Sequence, residues 1–547
     1  MAFVGAVLLA FLLCSSISVS ERSDIEQLTF SVAKMLSFDA LSPDILLQIV
    51  ASLTLGDVVS LSMVNKSFNE LSQEPSYWLT PLRVTQLYQP LPCPRLEDLS
   101  IHPTEDLKRM ALHTLRLTRN WSDPFPQVVG AVRSFKSEVH NNILFCLPGN
   151  ADTIVLYSVE DFTIICRDLK TGFSSAPMFL GPIYDMSSPM QEPDGFTVAA
   201  LVHLQIIVLT VSTKPVVSTR IILRCELSPS YSYSGVFMTS AIAGVARSAA
   251  GGGGVEIQTF NFRDPTISTT IVTDRPRSRV LGSSVIGDTV YFIVPLPGDP
   301  QAFVYAVPQR LMAHSSPGPD TDYSLQRSHI ARIPRPPDDP AGALGTRAYC
   351  VLSTEPNYGW NTISVANAYV RADDTVACAL QITFWPRPDP APRVAFNSEE
   401  EYEREKGRLM LPAQTVSIPG SLSSRTGTAW ELLVISNSGL AVVLVVDPPP
   451  PVTGPDEGDN DGDDGAAGAE GDTAEEEDVP PPPPPKLMLV RYDPVLNSTS
   501  LHELQIPPLA EDDEQVNTQG ICGLALDDHL GFVIVVTVHN LHYIPYA

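Results

Sequence analysis

From about residue 140 to the carboxy terminus, short runs rich in Val, Ile and Thr recur between clusters of Gly, Pro, Asp and Ser. The clearest are "NILFCLPG", "DTIVLYS", "FTIICRD", "TVAALV", "QIIVLTV", "TVYFIVPL", "ELLVISNSG", "LAVVLVV" and "GFVIVVTV". Runs this short and this regularly punctuated read as strands of an all-β body. The stretch, residues 136–547, is too long for one sandwich. Blades of about 40–45 residues divide it into six or seven. The repeats are not clean, so this expectation rests on length and strand density. Fifty prolines suit a turn-rich body.

Two segments interrupt the pattern. One is "FNSEEEYEREKGRLM", near residues 396–410. The other covers residues 448–486 and ends in six prolines, Pro480 to Pro485. Between Asp456 and Asp478 it holds twelve acidic residues and no basic one, nearly half of the chain's net charge of −27. Such a composition cannot form a core, so a disordered insertion is expected. Strand patterns resume on both sides, which makes it a loop and not a boundary. The acidic balance argues against nucleic acid and anionic membrane surfaces as partners, since phosphate binding needs basic patches.

The amino-terminal part is helical. In "LSPDILLQIVASL", residues 41–53, Ser42 is placed to cap a helix, Pro43 suits its first position and Asp44 its positive end. Ile45, Leu46, Ile49, Val50 and Leu53 then form one wide apolar face that something must cover. "TLGDVVSLSMVNKSF" opens with a capping-box spacing, Thr54 to Asp57, and Val58, Leu61, Val64 and Phe68 follow at three- and four-residue steps. A third segment runs from Leu71 to Trp78. "PTEDLKRMALHTLRLTRNW", residues 103–121, reads as a linker helix capped by Thr104, with Leu107, Ala111 and Leu115 on one face.

By residue 78 this pattern resembles an F-box. The residues that carry the resemblance are Leu41; Ile45, Leu46, Ile49 and Leu53; Asp57-Val58; Leu61; Val64-Asn65-Lys66-Ser67-Phe68; Leu71; Pro75 and Trp78. Two positions depart from the family pattern: Ser42 stands where Pro usually follows the leading Leu, and Asn65 where Cys often follows the Val. The resemblance implies a Skp-type adaptor of a cullin–RING ubiquitin ligase as the partner that covers the aliphatic face. The adaptor-binding residues it implies are Leu41, Pro43, Leu46, Ile49, Leu53, Val58, Leu61, Val64, Phe68 and Trp78. Leu41, Pro43 and Leu46 are expected toward the partner, with Ile49 and Leu53 shared between core and interface. Further on, "CRDLKTG", residues 166–172, resembles the end of a WD-like repeat without its Trp. The last 28 residues look like a closing blade of the kind seen in F-box proteins of mushroom-forming fungi.

The expected architecture is thus mostly β with a small amino-terminal α domain: a three-helix F-box over residues 36–85, a helical linker over 86–135, then a six- or seven-bladed β-propeller-like domain. The expected function is to recruit an unknown protein substrate to the ligase, with no catalysis in this chain. Residues 1–34 form an apolar leader. Residues 2–20 carry no charge and read as a signal-peptide core, as a membrane anchor, or as an extension upstream of an initiator at Met35. The resemblance to cytosolic and nuclear proteins favours the last, hence a cytoplasmic or nuclear location. If the first twenty residues are a signal peptide, the alternative is a secreted or anchored propeller acting as a binding module or hydrolase. Sequons at Asn65, Asn120 and Asn497 bear on that alternative, although Asn65 is expected inside a packed helix.

Motifs for chemistry are weak. Ser31–Lys34, Ser67–Asn69 and Lys170–Gly172 spell the short motifs of serine β-lactamases in order. Each is short enough to arise by chance, and the second falls inside the F-box pattern. HExxH, GxSxG and P-loop motifs are missing. Asp459, Asp461, Asp463 and Glu470 sit at calcium-loop positions, but Asp464 stands where the loop needs Gly. The eight cysteines show no zinc spacing and are expected to be free thiols. No cofactor is expected.

Overall fold

A computed structural model of the chain describes residues 41–547 apart from 87–88, 94–97, 137–140, 148–149, 159, 215, 250–253, 274–279, 281, 287–288, 296–301, 313–320, 324–328, 333–348, 353–361, 371–376, 387–413, 419–432, 437, 446–485, 494–495, 508–509, 512–513, 516–520 and 538–539. The apolar leader, both interrupting segments and the calcium-loop pattern fall outside the described residues. The chain forms two units. One runs up to residue 82 and takes in 102–108; the other comprises 83–101 and 109–547.

The first unit is built from helices α1 (Pro43–Val50), α2 (Leu55–Ser62), α3 (Lys66–Leu71) and the start of α4 (Pro75–Thr85). Pro43 opens α1 as expected, but the Ser42 hydroxyl makes no capping bond. The reason is local: the Ile45 amide that it would take already donates to the Ser42 carbonyl, 3.0 Å away. Thr54 does cap α2, accepting from the Asp57 amide (3.3 Å) and donating to its carboxylate (2.6 Å). The apolar stripe from Val58 to Phe68 is divided between two helices and is not the single helix its spacing suggests. Asn65 causes the break. Its side-chain oxygen accepts from the Phe68 amide (2.9 Å) and starts a new helix. Asn65 is therefore a helix cap and does not lie mid-helix.

Around this framework Leu46, Val50, Val58, Phe68, Tyr77 and Trp78 are buried. Tyr77 donates its hydroxyl to the Val58 carbonyl (2.8 Å), and the Trp78 indole N–H donates to the Ser72 carbonyl (2.7 Å). The two rings meet edge to face at 5.1 Å. Two large apolar bodies, each with its polar tip satisfied, lock α4 to the shorter helices.

Helix α5 (Thr104–Trp121) has its first turn in this unit and the rest in the second. Thr104 is its first residue and not its cap; its hydroxyl donates to the Gln73 carbonyl (3.0 Å).

The second unit contains, among the described residues, seven sheets of four or five strands. Six are built mainly from consecutive antiparallel strands; the third also takes Thr321–Tyr323, from within the stretch that forms the fourth, which pairs parallel with Ser268–Thr273. The seventh joins both ends of the unit: Arg133–Lys136 pairs antiparallel with Asn540–Pro545, which continues through Phe532–Thr537 to Ile521–Asp527. This sheet thus begins upstream of residue 136. In the inner strands Gly195–Val202 and Leu440–Val445 every residue is buried, which means that both faces of those sheets are covered. The covering is sequential. Val155 and Ile164 of the first meander pack with Phe196 and Ile207 of the second. Leu201 and Val208 of the second pack with Val236 and Val245 of the third. Phe237 and Ile257 of the third pack with Val290 and Phe292 of the fourth. Strand Gly282–Ile286 of the fourth lies beside Tyr349–Leu352 of the fifth. Leu380 and Phe384 of the fifth pack with Val443 and Tyr492 of the sixth. Val442 and Leu489 of the sixth pack with Val533 of the closing sheet. Ile534 and Tyr543 of that sheet then meet Ile154 and Leu156 of the first. A ring of twisted sheets, each covering the next, is a β-propeller-like domain.

The "CRDLKTG" stretch ends the strand Thr163–Asp168 in a tight turn. The Asp168 carboxylate accepts from the amides of Lys170 (2.9 Å) and Thr171 (3.3 Å) and from the Thr171 hydroxyl (2.8 Å). Gly172 takes the positive φ, +74°, that closes it. Cys166 replaces the usual Trp and is fully buried. Cys93, Cys146, Cys166 and Cys225 are not in disulfides.

Candidate interaction surface

Apolar side chains left in solvent by the helical unit define its candidate surface. Ile45 on α1 is 46% exposed, and Met63 and Val64, between α2 and α3, are 72% and 67% exposed. Pro43 is also exposed, and Leu41, Ile49, Leu53 and Leu61 are half-buried. The other implied contact residues, Leu46, Val58, Phe68 and Trp78, are buried within the free chain. Leu46 does not point outward as expected. One helical step, 100°, separates neighbouring residues, so with Val50 turned inward Leu46 goes with it and Ile45 takes the exposed place. Sequence reasoning missed Met63 as a surface residue because it read one continuous helix through it. The Asn at 65, a strong capping residue, is the signal that marks the break.

Lys66 and Glu70 form an exposed i,i+4 pair (3.5 Å) on α3, a contact of little energy. Burial pushes the Tyr77 hydroxyl up to about 12, so it stays a neutral donor. This unit thus leaves aliphatic and thioether groups in solvent on a braced scaffold.

On the second unit, Phe179 and Tyr184 are exposed on strands Met178–Phe179 and Ile183–Met186. Two sequons are engaged in structure there. The Asn120 amide nitrogen, the atom a glycan would take, donates to the carbonyls of Gln127 (2.7 Å) and Tyr546 (2.6 Å), and its oxygen accepts from the Gln127 amide (2.8 Å). Asn497 adopts φ +46° and accepts from the Tyr492 hydroxyl (2.9 Å). No helix among the described residues is long and apolar enough to cross a membrane.

Residues 38–80 match the F-box domain family. The chain thus carries an F-box domain followed by a β-propeller-like domain. No curated protein matches it. Among solved structures, the WD40 domain of SCAP from fission yeast is 10% identical, with 76% of this chain and 98% of that one covered at a TM-score of 0.33. The β-propeller domain of Cps50 (Swd1) from Myceliophteria thermophila is 9% identical, with 76% and 98% covered at a TM-score of 0.39.

Proposed function

We propose that the chain recruits protein substrates to a cullin–RING ubiquitin ligase. The F-box docks a Skp-type adaptor, the propeller-like domain holds the substrate, and ubiquitin transfer takes place on other subunits. In this reading the chain has no catalytic residue and works in the cytoplasm or nucleus. What carries it is the coincidence of the F-box match at residues 38–80 with apolar side chains left exposed within it, at Pro43, Ile45, Met63 and Val64. An apolar group freed from water stabilises a complex by about 25 cal/mol per Å², and a central anchor is worth about 2 kcal/mol or more. The implied contact residues then fall into two roles. Pro43, Val64, Leu41, Ile49, Leu53 and Leu61 touch the adaptor, and Leu46, Val58, Phe68 and Trp78 hold the helices that present them.

The engaged amide of Asn120 speaks against the secreted alternative, since a glycan there would displace the bonds to Gln127 and Tyr546. The test is capture of the tagged full chain from its native cells, with the captured partners identified by mass spectrometry. A Skp-type adaptor and a cullin should appear with wild type and vanish with Val64→Asp. Their absence from wild type, or glycosylated Asn120 in secreted material, would overturn the reading.

A further inference from the structure

We propose that Ser42 is a phosphorylation site for a proline-directed protein kinase, and that a phosphate there switches off docking by the helical unit. The switch rests on the adaptor reading; the modification rests on the setting of Ser42 itself.

Among the described residues a Ser or Thr precedes Pro at Ser42, Thr80, Ser188 and Ser228. Pro81 and Pro189 are buried, so only Ser42 with Pro43 and Ser228 with Pro229 expose both members. The Ser228 hydroxyl accepts from the Ser230 amide (3.3 Å). The Ser42 hydroxyl stands at the N-cap position of α1 and makes no capping bond. Ser42 is extended, with φ −65° and ψ 149°, the conformation favoured before Pro. An extended Ser-Pro step is what a proline-directed kinase grips, and Pro43 brings no N–H that the kinase groove would have to satisfy. The first turn of a helix opens at little cost, so the residues behind Pro43 can follow into the groove. The F-box pattern usually has Pro at this position, which offers no hydroxyl. The phosphate acceptor is therefore a feature of this chain.

ATP supplies the phosphoryl group. A base on the kinase takes the Ser42 hydroxyl proton, Oγ attacks the γ-phosphorus, the bond to the β,γ-bridging oxygen breaks and ADP leaves. The product carries about two negative charges. In the free chain the positive end of α1 favours them, against the like charge of Asp44 two residues on. Docking is another matter. Ser42, Pro43, Asp44 and Ile45 form one exposed run, and the Ile45 amide donates to the Ser42 carbonyl (3.0 Å). The phosphate is thus carried by the residue next to Pro43 and within one turn of Ile45. A partner that covers those apolar side chains must strip water from the phosphate or stand off from it.

The test treats the purified full chain with a recombinant proline-directed kinase and Mg-ATP and maps the phosphates by tandem mass spectrometry. The product is then titrated with a Skp-type adaptor by calorimetry. We expect phosphate on Ser42 and binding weakened by about tenfold or more. Kinase-treated Ser42→Ala, phosphorylated wherever else the kinase acts, should bind as untreated wild type does. Thermal midpoints of treated and untreated chain should match; a drop would assign the loss to unfolding and overturn the switch. In chain purified from its native cells, phospho-Ser42 should occur in the adaptor-free fraction and be depleted from the adaptor-bound one. No phosphate on Ser42, unchanged affinity with phosphate on Ser42, or equal occupancy in both native fractions would overturn the proposal. If untreated wild type binds no adaptor, the adaptor reading fails and takes the switch with it, while the phosphate map still decides the site.

Discussion

At Asn65 one carboxamide divides an apolar stripe into two helices and leaves Met63 and Val64 outside. Asn65→Ala removes the bond to the Phe68 amide and should cost about 1 kcal/mol, read as a lower urea midpoint of the helical unit. The charge state of buried groups sets a second residue-scale expectation. Burial pushes the Cys166 thiol from 9.0 up to about 12 and the Tyr492 hydroxyl from 10.0 up to about 12. Both are raised, so the folded state holds its protons longer than the unfolded one. Their contribution is complete below pH 9 and falls as the pH climbs from 9 toward 12. Cys166→Ala should flatten the first part of that alkaline loss in pH-dependent thermal melts; an unchanged slope would count against it. Burial also lowers the His113 pKa from 6.5, so its contribution is present above that value and lost as the pH falls. The residue scale was only half legible in the sequence. Pro43 and Thr54 announced their helix starts because capping is local. That Leu46 is buried and Ile45 exposed was not legible, because a stripe five residues wide does not say which edge faces the core.

Among elements, the closing sheet joins the two ends of the second unit. Asn120, near the end of α5, ties it further, with three hydrogen bonds to Gln127 and to Tyr546 beside the last strand. Asn120→Ala should destabilise the propeller-like domain by about 2 kcal/mol, seen as a lower midpoint in chemical denaturation; a change within error would mean that these bonds are replaced by water at no cost. Gly531 takes φ +72°, and a Cβ there would lie 2.5 Å from Leu117 Cδ1 of α5. Gly531→Ala should therefore destabilise through backbone strain and overlap together. Strand runs such as "LAVVLVV" and "GFVIVVTV" declared these sheets clearly, because strands buried on both faces are uniformly apolar. Their order around the ring was less visible. It depends on contacts such as Ile534 with Leu156, between opposite ends of the unit, and no local pattern encodes such a contact.

At the scale of the whole molecule, the proposed function has a helical unit with exposed aliphatic side chains link a propeller-like domain to a ubiquitin ligase. The F-box was readable from some forty residues because its core positions constrain one another. Calorimetric titration of the purified full chain with a Skp-type adaptor measures that link. Wild type should bind at micromolar affinity or tighter. Ile45→Lys should lose about 2 kcal/mol or more, roughly thirtyfold in affinity, because its charge must be stripped of water without a partner. Its thermal midpoint should match wild type, since Ile45 is exposed in the free chain. Lys214→Glu, an exposed change in the other unit, should bind as wild type does. No binding by wild type, or full affinity in Ile45→Lys and Val64→Asp alike, would rule out adaptor docking through this unit.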